Sequence, residues 1–148
     1  MPDDLARLER LLAWRETEEE LARRREAAAV RATQSAREKL RTLREQLQAC
    51  RECGAAGGLG GINLMDAHAC AARLRQRAAA QERSLEDARR RLTEAREELA
   101  EAGRRRLAVE RMATARVVQL REHKDAAAQA DLDESGRLRL MLEGDRVC

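Results

Sequence analysis

Along the first third of the chain, positions of one character recur at alternating spacings of three and four. The row runs Leu5, Leu8, Leu12, Arg15, Glu19, Ala22, Glu26, Ala29, Thr33, Ala36, Leu40, Leu43, Leu47 and Cys50. It is leucine-rich at both ends and small or charged in the middle. A neighbouring row of Leu11, Trp14, Leu21, Ala28 and Ala32 widens the stripe in its first half. Further on a second row runs Leu74, Ala78, Gln81, Leu85, Ala88, Leu92, Ala95, Leu99, Ala102, Arg106, Val109, Ala113, Arg116 and Leu120. Residues three and four apart share one helix face, and a spacing sustained over several heptads marks helices that pair as a coiled coil. In the second row Leu and Ala alternate, a large–small pattern that lets a facing helix come close.

Between the rows stand Gly54, Gly57, Gly58, Gly60 and Gly61. Each would cost a helix about 1 kcal/mol relative to Ala, so this stretch predicts a bend. Asn63 offers an N-cap for the next helix, with Asp66 three residues later on the favourable side of its dipole. The pattern therefore predicts an all-α fold, an antiparallel two-helix coiled-coil hairpin. Helix one covers about 4–53, the bend 54–62, helix two about 63–135 and a tail 136–148. Gly103 is a mild flaw in helix two, Ser135-Gly136 is its expected end, and the tail RLRLMLEGDRVC fits neither element clearly. Helix two outlasts helix one by on the order of 30 Å at 1.5 Å per residue. If Leu43 faces Leu74, residues near Ala113 lie beside Leu5, and VVQLREHKDAAAQADLDE overhangs without a partner. An isolated helix is marginal in water, so that overhang should dock on something.

Composition strengthens this picture. Charged residues make up 39% and aromatics 1% of the 148, with no Phe or Tyr. Alanine supplies much of the apolar content and buries little surface, so a thick globular core is excluded. Disorder is disfavoured because the chain is rich in Ala, Leu, Glu and Arg, the strongest helix formers, and has one Pro. The net charge of +3 arises from 30 basic and 27 acidic residues. The arginine triplets at 23–25, 89–91 and 104–106 sit near acidic residues, which reads as a solvated face laced with ion pairs rather than a nucleic-acid patch. With one aromatic residue there is nothing to stack on bases. The acidic start MPDD opens no signal peptide, no apolar run is long enough to span a membrane, and DRVC is not a prenylation box. The expectation is a cytoplasmic protein with reduced cysteines, without nucleic-acid partners or membrane insertion.

The stretch CRECGAAGGLGGINLMDAHAC carries the candidate chemistry. Cys50 and Cys53 form a C-x-x-C pair, with His68 and Cys70 just past the bend. A zinc site is conceivable there, but His68 and Cys70 are two residues apart and point about 200° away from each other on a helix. Cys50 and Cys70 read better as small apolar residues at the seam. GAAGGLGG lacks the Lys-Ser/Thr of a phosphate loop, and a redox C-x-x-C needs a βαβ setting that is absent. No catalytic set emerges. The chain reads as a non-enzyme with no cofactor and no metal.

On these features the chain resembles the FliJ/YscO-like stalk proteins of flagellar and virulence type III secretion. LARLERLLAWRETEEELA is similar to the family's Leu-, Arg- and Glu-rich first helix. GLGGIN followed by HACAARLRQRAAAQ is similar to the start of its second helix, and ADLDESGR to its closing element, carried by Asp133 and Glu134. The resemblance implies a central stalk whose paired helix ends enter a hexameric secretion ATPase. It also implies contacts with the cytoplasmic domain of the export gate and with export chaperones. The family's gate contact falls here on Cys70, Leu74, Arg77 and Gln81, where only Leu74 keeps the family's residue type and Cys70 replaces an aromatic. The expected ATPase end is Leu5, Leu8, Leu11, Leu12, Val117, Val118, Leu120 and Arg121, an apolar tip in a chain expected to be monomeric alone. An unrelated coiled-coil scaffold or dimeriser, or a zinc- or redox-responsive hairpin, are the alternatives.

Overall fold

The computed structural model describes residues 2–55 and 61–144, with side chains at 4–55 and 64–142. Two helices pack into an all-α hairpin: α1 (Pro2–Ala55, 54 residues) and α2 (Gly61–Gly144, 84 residues). Pro2 occupies the first helical position, where its missing N–H is no loss. Gly54 is still within α1 and Gly61 already opens α2. The remaining bend glycines, Gly57, Gly58 and Gly60, lie outside the described residues.

Two boundaries differ from the sequence reading. Because α2 opens at Gly61, Asn63 sits inside its first turn and not ahead of it as a cap. At the other end, α2 runs through Ser135 and Gly136 to Gly144. One glycine costs only about 1 kcal/mol, and the Arg-Leu-Arg-Leu-Met-Leu-Glu run beyond it favours helix strongly enough to carry the chain on.

The chain divides into two contact units, Glu18–Gly103 and Met1–Thr17 with Arg104–Cys148. In the first, Glu19, Ala22, Thr33, Ala36 and Leu40 of α1 are buried, as are Ala71, Ala78, Leu85 and Ala95 of α2. Glu26, Ala29, Leu43, Leu47, Leu74, Gln81, Ala88, Leu92 and Leu99 are half-buried. Apart from Ala71, which extends the second row one step toward the bend, these are the two rows traced in the sequence. The neighbouring row fares differently: Leu21, Ala28 and Ala32 are exposed, so the seam is narrow.

Its tightest cluster is Ala36, Leu40, Ala78 and Leu85, with Leu43 packed against it. Alanines opposite alanines leave little between the backbones. The Thr33 hydroxyl accordingly reaches the Ala88 carbonyl at 3.3 Å, and the Gln81 amide donates to the Ala36 carbonyl at 3.2 Å. Ion pairs flank the seam: Arg25 with Glu98 and Arg96 with Glu26, each at 3.4 Å, and Arg44 with Glu82 at 2.9 Å. Exposed pairs contribute roughly 0–1 kcal/mol each, but their order along the two helices specifies antiparallel pairing in one register. The arginine triplets are drawn into the same web, with Arg23 on Glu19, Arg24 on Glu20, and Arg89 and Arg90 on Glu86.

In the second unit Val109 is buried, and Leu5, Leu8, Leu11, Leu12, Ala113, Val117 and Leu120 are half-buried. Arg116 pairs with Asp4 at 3.4 Å, placing the start of α1 opposite this turn of α2. From residue 121 to residue 142 every side chain is exposed.

Leu40 is 4% exposed, so Leu40→Asp would bury an unpaired carboxylate. It should cost several kcal/mol in urea unfolding followed by circular dichroism, whereas Arg24→Ala should change stability by no more than about half a kcal/mol. Gly103 is helical and an added Cβ would meet nothing within 4 Å. Gly103→Ala should therefore stabilise the chain by up to about 1 kcal/mol in the same measurement.

Candidate partner-binding surfaces

A coiled coil that spends its apolar residues on one narrow seam has a polar exterior, so apolar side chains left outside mark candidate contacts. In the unit carrying both termini, Val118 is 47% and Met112 56% exposed. Val117 and Leu120 are turned partly toward the seam, as are Leu5, Leu8, Leu11 and Leu12, while Arg121 is exposed. The expected tip thus divides. Its leucines mostly hold α1 to α2, and Val118 with Arg121 face outward.

The larger apolar surface lies further along α2. Leu132, Leu138, Leu140, Met141 and Leu142 are 56–71% exposed on one continuous helix. Leu132 falls in the overhang expected to dock, whereas sequence reasoning missed Leu138, Leu140, Met141 and Leu142 because it ended the helix at Gly136. The signal was there in the helix-forming run after that glycine. Asp133 and Glu134 lie on this stretch, exposed, and the Asp133 carboxylate accepts a hydrogen bond from Gln129 at 2.9 Å.

The other set, Cys70, Leu74, Arg77 and Gln81, follows a single stripe of α2 in the unit Glu18–Gly103. Cys70 and Arg77 are exposed, but Leu74 and Gln81 are half-buried against α1. Only part of this stripe is free to meet a partner while the helices are paired.

Near the bend, Cys50 is half-buried and Cys53, Cys70 and His68 are exposed. All three cysteines are free thiols. Among the described residues, no group of three or more His, Cys, Asp or Glu side chains gathers as metal ligands would. The Cys50 Sγ lies 3.8 Å from the Ala67 carbonyl. Burial pushes its thiol above the ordinary value of 9.0, and the neighbouring Cys70 and Cys53 thiols act the same way. Among the described residues no helix is long and apolar enough to cross a membrane.

These features define a class: an all-α helical hairpin whose longer second helix carries exposed apolar side chains. The family model of the flagellar FliJ protein matches residues 4–143. The chain belongs to the FliJ family and is a component of the flagellar export apparatus. No curated protein and no solved structure matches it.

A raised Cys50 pKa favours the neutral thiol in the fold, so its contribution to stability is complete below pH 9.0 and is lost as pH rises through the higher folded value. Iodoacetamide labelling with peptide mass mapping should modify Cys50 more slowly than Cys53 and Cys70 at pH 8. The difference in melting temperature between wild type and Cys50→Ala should shrink as the pH rises above 9.0.

Proposed function

We propose that this protein is a non-enzymatic central stalk of the export apparatus, inserting the unit that carries both termini into a hexameric secretion ATPase. The observation that supports this most is the run of exposed leucines and methionine on α2 from Leu132 to Leu142, in a helical stretch where every side chain from 121 to 142 is exposed. Isolated helices of this length are marginal, and exposed apolar side chains at their surface are stabilised by docking. Leu5, Leu8, Leu11 and Leu12 secure the neighbouring turns of α2, and Val118, Leu120 and Arg121 carry the contact toward acidic loops of the ring. The family's closing element, Asp133 and Glu134, lies within the same surface.

In this reading the bend-proximal stripe of Cys70, Leu74, Arg77 and Gln81 meets the cytoplasmic domain of the export gate. Export chaperones are further partners, and the chain works in the cytoplasm beside the membrane. A monomer suits a part that enters a ring on its axis.

The test is ATP hydrolysis by the cognate secretion ATPase with each variant of the stalk. Wild type should stimulate hydrolysis. Truncation after Thr114, or Val118→Asp with Leu120→Asp, should return it to the unstimulated rate while circular dichroism shows the helices retained. Arg77→Glu should leave stimulation intact. Normal stimulation by both tip variants together with failure of the Arg77 variant would reverse the assignment of the two surfaces. No response to wild type, with self-association in sedimentation, would favour a coiled-coil scaffold.

A further inference from the structure

In the unit Glu18–Gly103, Arg23, Arg25, Arg44, Arg89 and Arg96 each hold a glutamate. Near the bend the arginines are placed differently. Arg51, close to the end of α1, and Arg75 of α2 line a cavity of about 200 Å³ together with His68. Leu64, Ala67 and Ala71 form its apolar wall, and Cys50 and Gly54 line it from α1. Among the described residues no ion pair joins Arg51 or Arg75 to a carboxylate. Leu64, His68 and Arg75 are spaced by four and seven residues and so share one helix face. Asp66, two residues after Leu64, points about 200° away from it. Beside the cavity, Leu64 is 44% and Met65 75% exposed.

We propose that this end of the hairpin binds the head group of an anionic phospholipid and rests on the surface of an anionic bilayer. Arg51 and Arg75 reach the cavity from two helices and offer their planar guanidinium forks to the phosphate, which arginine holds by paired hydrogen bonds. His68 adds a ring N–H donor at the same rim. A space of about 200 Å³ admits one head group and is too small for a helix. Leu64 and Met65 then enter the boundary between head groups and acyl chains, as the apolar residues of interfacial helices do. The chain adsorbs without crossing, for among the described residues no helix is long and apolar enough to span a membrane.

Charge and apolar neighbours together select this occupant. From 64 to 81, α2 carries Arg73, Arg75 and Arg77 against Asp66 alone, so the local field favours an anion. Nucleic acid is anionic too, but it would leave Leu64 and Met65 in water and finds no aromatic side chain here to stack on a base. An acidic protein segment would need a longer groove than this cavity provides. Lipid binding at the bend is independent of ring insertion, which uses the other contact unit.

The experiment is flotation of the full chain with vesicles of phosphatidylglycerol and phosphatidylethanolamine, compared with vesicles of phosphatidylcholine alone. Binding is expected to the first only, and should weaken as sodium chloride is raised. An arginine near an anionic surface raises partitioning about fivefold, so Arg51→Glu with Arg75→Glu should lower it at least about 25-fold. Arg31→Glu with Arg83→Glu makes the same charge change at exposed sites away from the bend and should lower it far less. Circular dichroism checks that both variants keep their helices. A Trp14→Phe, Met65→Trp variant should lose fluorescence on anionic vesicles with brominated acyl chains, whereas wild type, whose single tryptophan is Trp14, should not. Flotation kept by the Arg51 and Arg75 variant, an equal loss in the control pair, or no quenching at residue 65 would overturn the proposal. So would release by sodium phosphate but not by sodium chloride at equal ionic strength, which would mark a site for free phosphate. Absence of flotation would overturn it outright, and capture of soluble polyglutamate would then assign the surface to an acidic protein.

Discussion

Close approach of the two helices is the constraint from which the rest of the structure follows. With one aromatic residue and few large aliphatics, the chain cannot hold its helices together by filling a thick gap. It closes the gap instead. Thr33, 2% exposed, and the alanines at 22, 36, 71, 78 and 95 bring the backbones near enough for the Thr33 hydroxyl and the Gln81 amide to reach carbonyls of the facing helix. The Thr33 hydroxyl also lies 2.9 Å from the Ala29 carbonyl of its own helix, so one donor is shared between the two sides of the seam. Larger residues at these positions would separate the helices and break both contacts.

A seam this thin leaves polar groups to do part of the specifying. Glu19 is buried on the apolar row and is held by Arg23 at 2.6 Å, while Glu26 turns to Arg96. Such pairs add little net stability. They do oppose slippage by a heptad, because a shifted register would set Arg25, Arg44 and Arg96 against residues other than Glu98, Glu82 and Glu26. The alanine rows alone tolerate many alignments. The charges on their flanks select one.

How much of this was legible from the sequence depends on whether local preference and packing agree. They agree along both rows, from Leu8 to Leu47 and from Leu74 to Leu120, and the burial pattern follows the heptads there residue by residue. They part at Gly136, where one unfavourable residue outweighed in the reading the helix-forming run behind it. Leu138, Leu140, Met141 and Leu142 were lost from the candidate surface for that reason. They part again at Leu21 and Ala28, apolar residues placed beside the stripe that remain outside because a two-helix seam has only one facing side. The partial occlusion of the stripe from Cys70 to Gln81 could not be seen in spacing alone, since it depends on where α1 lies. Nor could the approach of the Cys50 sulfur to the Ala67 carbonyl, which depends on where α2 returns beside α1.

The economy of apolar burial at the seam has a thermal consequence. The heat capacity change of unfolding scales with the apolar area newly hydrated, about 0.45 cal/K/mol per Å², and is reduced by the polar area exposed with it. A seam of alanines, a threonine and a buried carboxylate exposes little of the first and much of the second. The stability curve of this chain should therefore be shallow. Warming and cooling across the growth range would alter its free energy less than they alter that of a globular domain of equal length. Helices joined by contact rather than by a filled interior hold much the same pairing strength in the cold as in the heat.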